Sequence, residues 1–124
     1  MKITSFDPII ISPKADDVIK VFEALGFEKT HTPVTETETR DIPSVRMKNS
    51  DGFRLDVADV KDLPRDLMEI RMNVDNFEEA YGILTAHGFT NTRGDSTLET
   101  KSATAATMVS PSGFMIALVK HNKK

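Results

Sequence analysis

The sequence of 124 residues contains no cysteine, so it has no disulfide framework, no cysteine metal site and no thiol nucleophile. It also lacks a long hydrophobic run at its start, where Asp7-Pro8 interrupts any signal peptide or membrane span. Basic residues are not in excess, because the net charge is −3 and there is no basic stripe. These absences predict a cytoplasmic protein whose partner is a small molecule or another protein, not a nucleic acid or a membrane.

Histidine is scarce, and the three histidines do not have the spacing of metal ligands. His31 lies in a polar segment that is predicted to be a strand, and His121 lies in the C-terminal tail. His87 falls at the end of a predicted helix, where the helix dipole alone favours a positive side chain. The sequence therefore predicts no histidine metal centre.

What the sequence does contain is one stretch that occurs twice. The stretch from Ser50 to Ala58 places a Gly before an alternating run, and the stretch from Pro111 to Leu118 has the same form. A Gly in this position is typical of a tight turn that leads into a strand. In the first copy Arg54 and Asp56 share one face of the strand. That face is not ordinary core, because it carries charge.

A phenylalanine follows the turn glycine in both copies. Alternation along each strand places Phe53 and Phe114 on the same side as the helices. Both rings are therefore expected to pack in the core and not to stack on a ligand.

Two amphipathic helices are predicted from apolar residues that recur at i, i+3, i+4 and i+7. The first pattern begins after Ser12, the expected N-cap, and ends at Gly26. The second begins after Asp75, the expected N-cap there, and ends at Gly88. Each helix is followed by three predicted strands, so each half of the chain is predicted to be β-α-β-β-β.

The two halves are similar enough to be repeats within one domain, 1–124. They cover approximately 1–60 and 66–124, and the charged, Pro-containing linker between them lies near 59–66. The predicted halves place four strands between the two helices, which excludes the ferredoxin-like plan, in which two strands lie between them.

A pair of β-α-β-β-β modules resembles the vicinal oxygen chelate superfamily, which includes glyoxalase I, extradiol dioxygenases and bleomycin resistance proteins. The resemblance covers nearly the whole chain and rests on the repeat, on the helix ends Leu25 to Phe27 and His87 to Phe89, and on the two turn glycines. It implies an α+β fold in which the two tandem modules form a curved mixed sheet around a groove. The helices lie on the outer face, and the ligand binds in the groove.

The resemblance also implies where a metal would bind. Metal-using members take ligands, usually His or Glu, from the first and fourth strands of each module, and these positions correspond here to Asp7, Asp56, Glu69 and Ala117. Ala117 has no donor atom, and none of the four residues is His. Asp7, Asp56 and Glu69 could still hold a hard cation such as Mg²⁺ or Mn²⁺. We therefore predict no cofactor, with a divalent metal as the alternative.

The predicted site is a metal-free groove. Charge on the predicted strand faces is costly to bury unless it is paired or meets a ligand, and Arg54 and Arg71 could neutralise the neighbouring carboxylates. Apolar residues of the first and last strands are expected beside them, and this mixture is typical of small-molecule sites. The alternative is a solvated sheet face. The predicted groove residues are Ile9, Ile11, Arg54, Asp56, Glu69, Arg71, Asn73, Met115 and Val119.

The resulting hypothesis is a protein that binds a small organic molecule, similar to the resistance proteins that sequester a drug. Arg54 or Arg71 would hold a carboxylate or phosphate of the ligand. The alternative is a lyase, isomerase or dioxygenase that depends on a divalent metal, with Glu69 as metal ligand or general base. The resemblance also implies a homodimer. The polar, Thr-rich segments 30–40 and 90–102 are expected to cover the site.

Overall fold

The structure, a computed structural model, describes residues 1–30, 44–99 and 103–121. These residues form nine strands and two helices, and neither helix has the length and apolar character needed to cross a membrane. The order is β-α-β-β-β twice, with one additional two-residue strand in the second module. The elements are β1 (Ile3–Ser12), α1 (Ala15–Ala24), β2 (Glu28–Lys29), β3 (Ser44–Lys48), β4 (Arg54–Asp59), β5 (Leu67–Val74), α2 (Phe77–Ala86), β6 (Thr90–Asn91), β7 (Leu98–Glu99), β8 (Ala103–Val109) and β9 (Met115–His121).

The described residues form two compact units, and the first, called here the N-terminal unit, comprises residues 7–30 and 44–68. Its strands follow the order β2-β3-β4-β1, in which β1 and β4 are parallel and the other pairs are antiparallel. Helix α1 packs its apolar stripe on one face of this sheet. The buried core consists of Ala15, Ile19, Met47, Leu55 and Val57.

The C-terminal unit comprises residues 1–6, 69–99 and 103–121. Its strands follow the order β5-β9-β8-β6, with β7 also paired to β8, and β5 and β9 are parallel. Helix α2 covers one face of this sheet, as α1 does in the other unit. The buried core consists of Met72, Val74, Phe77, Ala80, Ala106, Met108, Ile116 and Leu118. The predicted α+β fold of two β-α-β-β-β modules is confirmed.

The turns that the sequence repeats have the same backbone hydrogen bonds. Asn49 and Ser110 each pair through N–H with the carbonyl of the phenylalanine four residues later, at 3.0 and 2.8 Å. The N–H groups of Gly52 and Gly113 donate to the carbonyls of Asn49 and Ser110, at 3.1 and 3.0 Å. Both glycines have positive φ, +92° and +104°, which a residue with a Cβ adopts only with strain. The turn prediction is confirmed in both modules, while duplication of a single half stays a prediction.

Phe53 and Phe114 are not core residues, so that prediction is wrong. Their side chains are 67% and 47% exposed. Each residue lies in the turn just before its strand begins, so the alternation of the strand does not orient it. Phe114 instead lies edge-on to Phe89, with the ring centroids 6.2 Å apart.

The first helix does not have Ser12 as its N-cap, because β1 continues through this residue. Lys14 occupies the N-cap position without a side-chain hydrogen bond. Ser12 is fully buried, and its hydroxyl donates to Asp66 Oδ1 at 2.6 Å and accepts from the backbone N–H of Lys14 at 2.9 Å. The serine therefore joins the end of β1 to the segment that precedes β5.

The second helix begins one residue later than predicted. Asn76 is the N-cap, and its Oδ1 accepts from the backbone N–H of Glu79 at 3.1 Å. The predicted cap, Asp75, instead accepts from the backbone N–H of Lys2 at 2.7 Å and donates its own N–H to the carbonyl of Lys2. The predicted pair of a capping acceptor and a glutamate three residues later is present as Asn76 and Glu79, one position further along the chain.

Replacement of the true cap should destabilise α2. We expect Asn76→Ala to lower the free energy of unfolding by about 1 kcal/mol, because the N–H of Glu79 loses its acceptor. The control is Asn76→Asp, which keeps an acceptor at the cap and should remain close to wild type. Urea denaturation followed by circular dichroism measures both, and equal stabilities of the Ala and Asp variants would contradict the assignment.

Candidate functional site

The first set of predicted site residues lies on the sheet face of the N-terminal unit that points away from α1. The apolar residues of β4 pack against α1, so Arg54 and Asp56, which alternate with them, lie on the opposite face. The strand register places Ile9 on one side of Asp56 and Arg46 on the other. This surface is called the N-terminal sheet face: Ile9, Ile11, Arg46, Arg54 and Asp56.

Asp56 is paired with an arginine that sequence reasoning did not identify. Its side chain is 4% exposed, and its Oδ2 lies 3.7 Å from Nε of Arg46 on the neighbouring strand. Arg54, the partner proposed from spacing along the strand, is exposed at the start of β4. The signal that could have identified Arg46 is the antiparallel pairing of β3 with β4, which places it directly opposite Asp56.

The second set lies on the sheet face of the C-terminal unit that points away from α2. Glu69, Arg71 and Asn73 alternate with the residues of β5 that pack against this helix. The register places Glu69 opposite Met115 and Asn73 opposite Val119. This surface is called the C-terminal sheet face: Glu69, Arg71, Asn73, Met115, Ala117 and Val119, with Ala103 and Ala105 of β8 packed against Val119.

Charge on the C-terminal sheet face is buried among apolar side chains. Glu69 is 1% and Arg71 8% exposed, while Val119 and its alanine neighbours are completely buried. Asn73 is half-buried, and its Oδ1 is buried without a hydrogen-bond partner in the described part of the chain. Native structures rarely leave such an oxygen unsatisfied, so Asn73 retains the capacity to accept a hydrogen bond.

The structure thus brings the predicted residues together in two sets, one in each unit. Asp7 lies half-buried on β1. That the N-terminal and C-terminal sheet faces line one groove stays a prediction. His87 is exposed and its Nδ1 lies 2.9 Å from the carbonyl of Ile83, as a residue at a helix end should, whereas His31 lies outside the described residues.

The donor set on these faces does not fit the metal site that the family resemblance implies. In the described ranges, no three His, Cys, Asp or Glu side chains are grouped so that they could hold an ion. Asp56 is already held by the guanidinium of Arg46. The fourth position is Ala117, which is completely buried opposite Arg71 and offers no donor. No metal-dependent step follows from these residues.

Solved structures match nearly the whole chain, although no protein-family model and no curated protein matches it. A glyoxalase/bleomycin resistance protein/dioxygenase superfamily member from Vibrio splendidus has a TM-score of 0.65 at 15% identity over 96% of this chain and 99% of its own. Methylmalonyl-CoA epimerase from Mycobacterium tuberculosis has a TM-score of 0.70 at 12% identity, covering 98% of this chain and 90% of its own. The chain has the glyoxalase fold.

This fold is the one that the two β-α-β-β-β modules predicted. A second methylmalonyl-CoA epimerase structure agrees, with a TM-score of 0.64 at 17% identity over 94% of both chains. Identities this low establish the fold and carry no substrate. Function must therefore be argued from the residues of the two sheet faces.

The ion pair between Arg46 and Asp56 should be measurable as a coupling energy. We expect Arg46→Met to lower the free energy of unfolding by about 1 kcal/mol, a modest value because Arg46 is 41% exposed and partly screened by water. Asp56→Asn removes the charge that needs the arginine, so in that background Arg46→Met should cost less. Urea denaturation of the four proteins of this double-mutant cycle gives the coupling energy. Strictly additive losses would contradict the pairing.

Proposed function

We propose that this protein binds a small organic molecule without a metal, and that the C-terminal sheet face supplies its polar contacts. The observation that carries the proposal is the burial of Glu69 and Arg71, with the half-buried Asn73 beside them, among apolar side chains. Charge in an apolar interior is costly, and a hydrophobic residue would serve packing at least as well. A few polar groups among apolar ones are instead typical of a ligand site.

The chemistry of these groups indicates an anionic ligand with an apolar body. A guanidinium carries five N–H donors in a planar fork that matches a carboxylate or phosphate, so Arg71 can pair with a neighbour and still bind a ligand. The amide of Asn73 adds an acceptor for a hydroxyl or amine of the same molecule. Met115 and Val119, directly across from Glu69 and Asn73, supply apolar contacts.

A metal-free site is supported by the same residues that fail as ligands. Asp56 is neutralised by Arg46, and Ala117 stands where metal-using members of the resembled superfamily carry a donor. Binding without a metal matches the sequestering proteins of that superfamily. The homodimer and the cytoplasmic location stay predictions, and sedimentation velocity tests the first.

The alternative is a metal-dependent lyase, isomerase or dioxygenase with Glu69 as ligand or general base. Two of the similar structures are epimerases by name, and Glu69 is a carboxylate buried on the proposed binding face. A buried carboxylate can act as a general base when it lies within hydrogen-bond reach of the substrate proton that it removes. The two functions differ in their need for an ion, which can be measured.

The binding proposal predicts selectivity for organic anions. We expect 3-phenylpropanoate to raise the melting temperature, and Arg71→Met to diminish this rise without diminishing any rise that phenethylammonium, its cationic counterpart, produces. Arg71→Met should weaken binding of the anion at least about tenfold, since a charge-assisted contact is lost. The matched control is Arg65→Met, at an exposed position between β4 and β5 that is not on this face.

A second variant guards against misfolding of the first. Asn73→Asp is nearly isosteric at a half-buried position and adds a negative charge, so it should also weaken binding of the anion. Unchanged affinity in both variants would overturn the assignment of the face. A stoichiometric ion in protein purified without chelator, removed by chelator with loss of activity, would instead support the metal-dependent enzyme.

A further inference from the structure

A surface cavity of about 380 Å³, open to solvent, lies in the C-terminal unit on the helix side of its sheet. Thr104 lines it and alternates with Ala103 and Ala105 of the opposite face, so the cavity is distinct from the C-terminal sheet face. Its walls come from the first turns of α2, from the segment before and within β7, and from β8. The lining residues are Phe77, Glu78, Tyr81, Gly82, Asp95, Thr97, Glu99 and Thr104.

Two aromatic rings form one wall of the cavity and are held in place. Phe77 and Tyr81 lie with ring centroids 5.8 Å apart at an angle of 32°. The hydroxyl of Tyr81 accepts from Nδ2 of Asn91 at 3.3 Å, and the same amide donates to the carbonyl of Ser96 at 2.7 Å. Asn91 is buried and therefore fixes the loop that carries Asp95 against the aromatic wall.

The charge that lines the cavity is negative. Glu78, Asp95 and Glu99 contribute carboxylates, and the described residues that line the cavity include no lysine, arginine or histidine. Glu99 accepts hydrogen bonds from the hydroxyls of Thr97 at 2.6 Å and Thr104 at 2.9 Å, and these bonds hold the pKa of its carboxyl below the usual value. Glu78 lies in the first turn of α2, where the helix dipole favours a negative charge. Asp95 and Glu99 are not on a helix, so the dipole does not explain their charge.

A glycine in the middle of α2 keeps the cavity open. Gly82 has ordinary helical backbone, and a Cβ built on it would meet no atom within 4 Å. Neither backbone conformation nor close packing requires glycine there, yet glycine costs about 1 kcal/mol relative to alanine inside a helix. Because Gly82 lines the cavity, any side chain at this position would narrow it. An occupant of the cavity would account for the missing side chain.

We propose that this cavity binds an organic cation, an ammonium group on an aromatic or apolar body. The ring of Tyr81, which is partly exposed beside the buried Phe77, attracts a cation, and the carboxylates neutralise it. The volume is at the lower end of the range of roughly 300–1,000 Å³ found for ligand sites. An anion of the same size would be repelled by all three carboxylates. This site takes the opposite charge to the one proposed for the C-terminal sheet face.

The test uses phenethylammonium as the probe and 3-phenylpropanoate as an anion of similar size, with binding to the intact chain followed by isothermal titration calorimetry. Glu99→Gln should weaken binding of phenethylammonium about two- to fivefold, as expected for one partly exposed charge contact. The matched control is Glu23→Gln on α1, which removes the same charge from an exposed position in the other unit and should leave the affinity unchanged.

Gly82→Leu gives the sharper result, because it fills the cavity with a good helix former. We expect it to weaken phenethylammonium binding more than about tenfold, while the melting temperature stays the same or rises. Unchanged affinity for phenethylammonium in a folded Gly82→Leu protein would overturn the proposal, and so would an equal loss of 3-phenylpropanoate binding in that variant, because the proposed anion site lies on the other face of the sheet. If Gly82→Leu does not fold, the test depends on Glu99→Gln alone. Affinity for phenethylammonium equal to that of the wild type in this variant would overturn the proposal. Arg71→Met should leave phenethylammonium binding unchanged, so the two proposed sites fail independently.

Discussion

The whole structure depends on the two-residue period of its strands together with one helix on each sheet. In both units the helix covers the face that carries the apolar half of the alternation, so Arg54, Asp56, Glu69 and Arg71 lie on the other face. The parallel pairs β1–β4 and β5–β9 then place those residues directly opposite apolar ones, as with Ile9 and Asp56. Asp56, Glu69 and Arg71 are buried as a result, so the groups that pair with them determine what their burial costs.

Periodicity was enough to predict the helices, the long strands and the face on which Asp56 and Glu69 lie. It could not predict features set by distant partners. The local pattern favours Asp75 as the N-cap of α2, but its carboxylate accepts a hydrogen bond from the backbone N–H of Lys2. Ser12 is likewise not a cap, because its hydroxyl donates to the carboxylate of Asp66. β7 has two residues, too few to show alternation, and it forms because its backbone pairs with β8.

The site shows the same division between local and distant information. Alternation within β4 identified Asp56 but suggested Arg54 as its partner, because both are on one strand. The ion pair is made across the sheet by Arg46, whose position opposite Asp56 follows from the hairpin register of β3 and β4 and not from alternation along β4. This pairing also weakens the case for a metal, since a carboxylate already neutralised by a guanidinium is a poor ligand. At Asp56, therefore, the ion pair across the strands does not fit the metal-ligand position that the family resemblance implies.

Two features of the C-terminal unit conflict with the rules that otherwise account for it, and they lie on opposite sides of one sheet. Glu69 and Arg71 are charged and buried at positions where hydrophobic residues would pack at a lower desolvation cost. Gly82 destabilises α2 although neither its backbone conformation nor its surroundings require glycine. Where local rules and global fold otherwise agree, such departures are expected at functional sites. The arginine and the carboxylate-lined cavity favour ligands of opposite charge. The two ligand sites proposed for opposite faces of this sheet would account for both departures, since each departure lies in one of them.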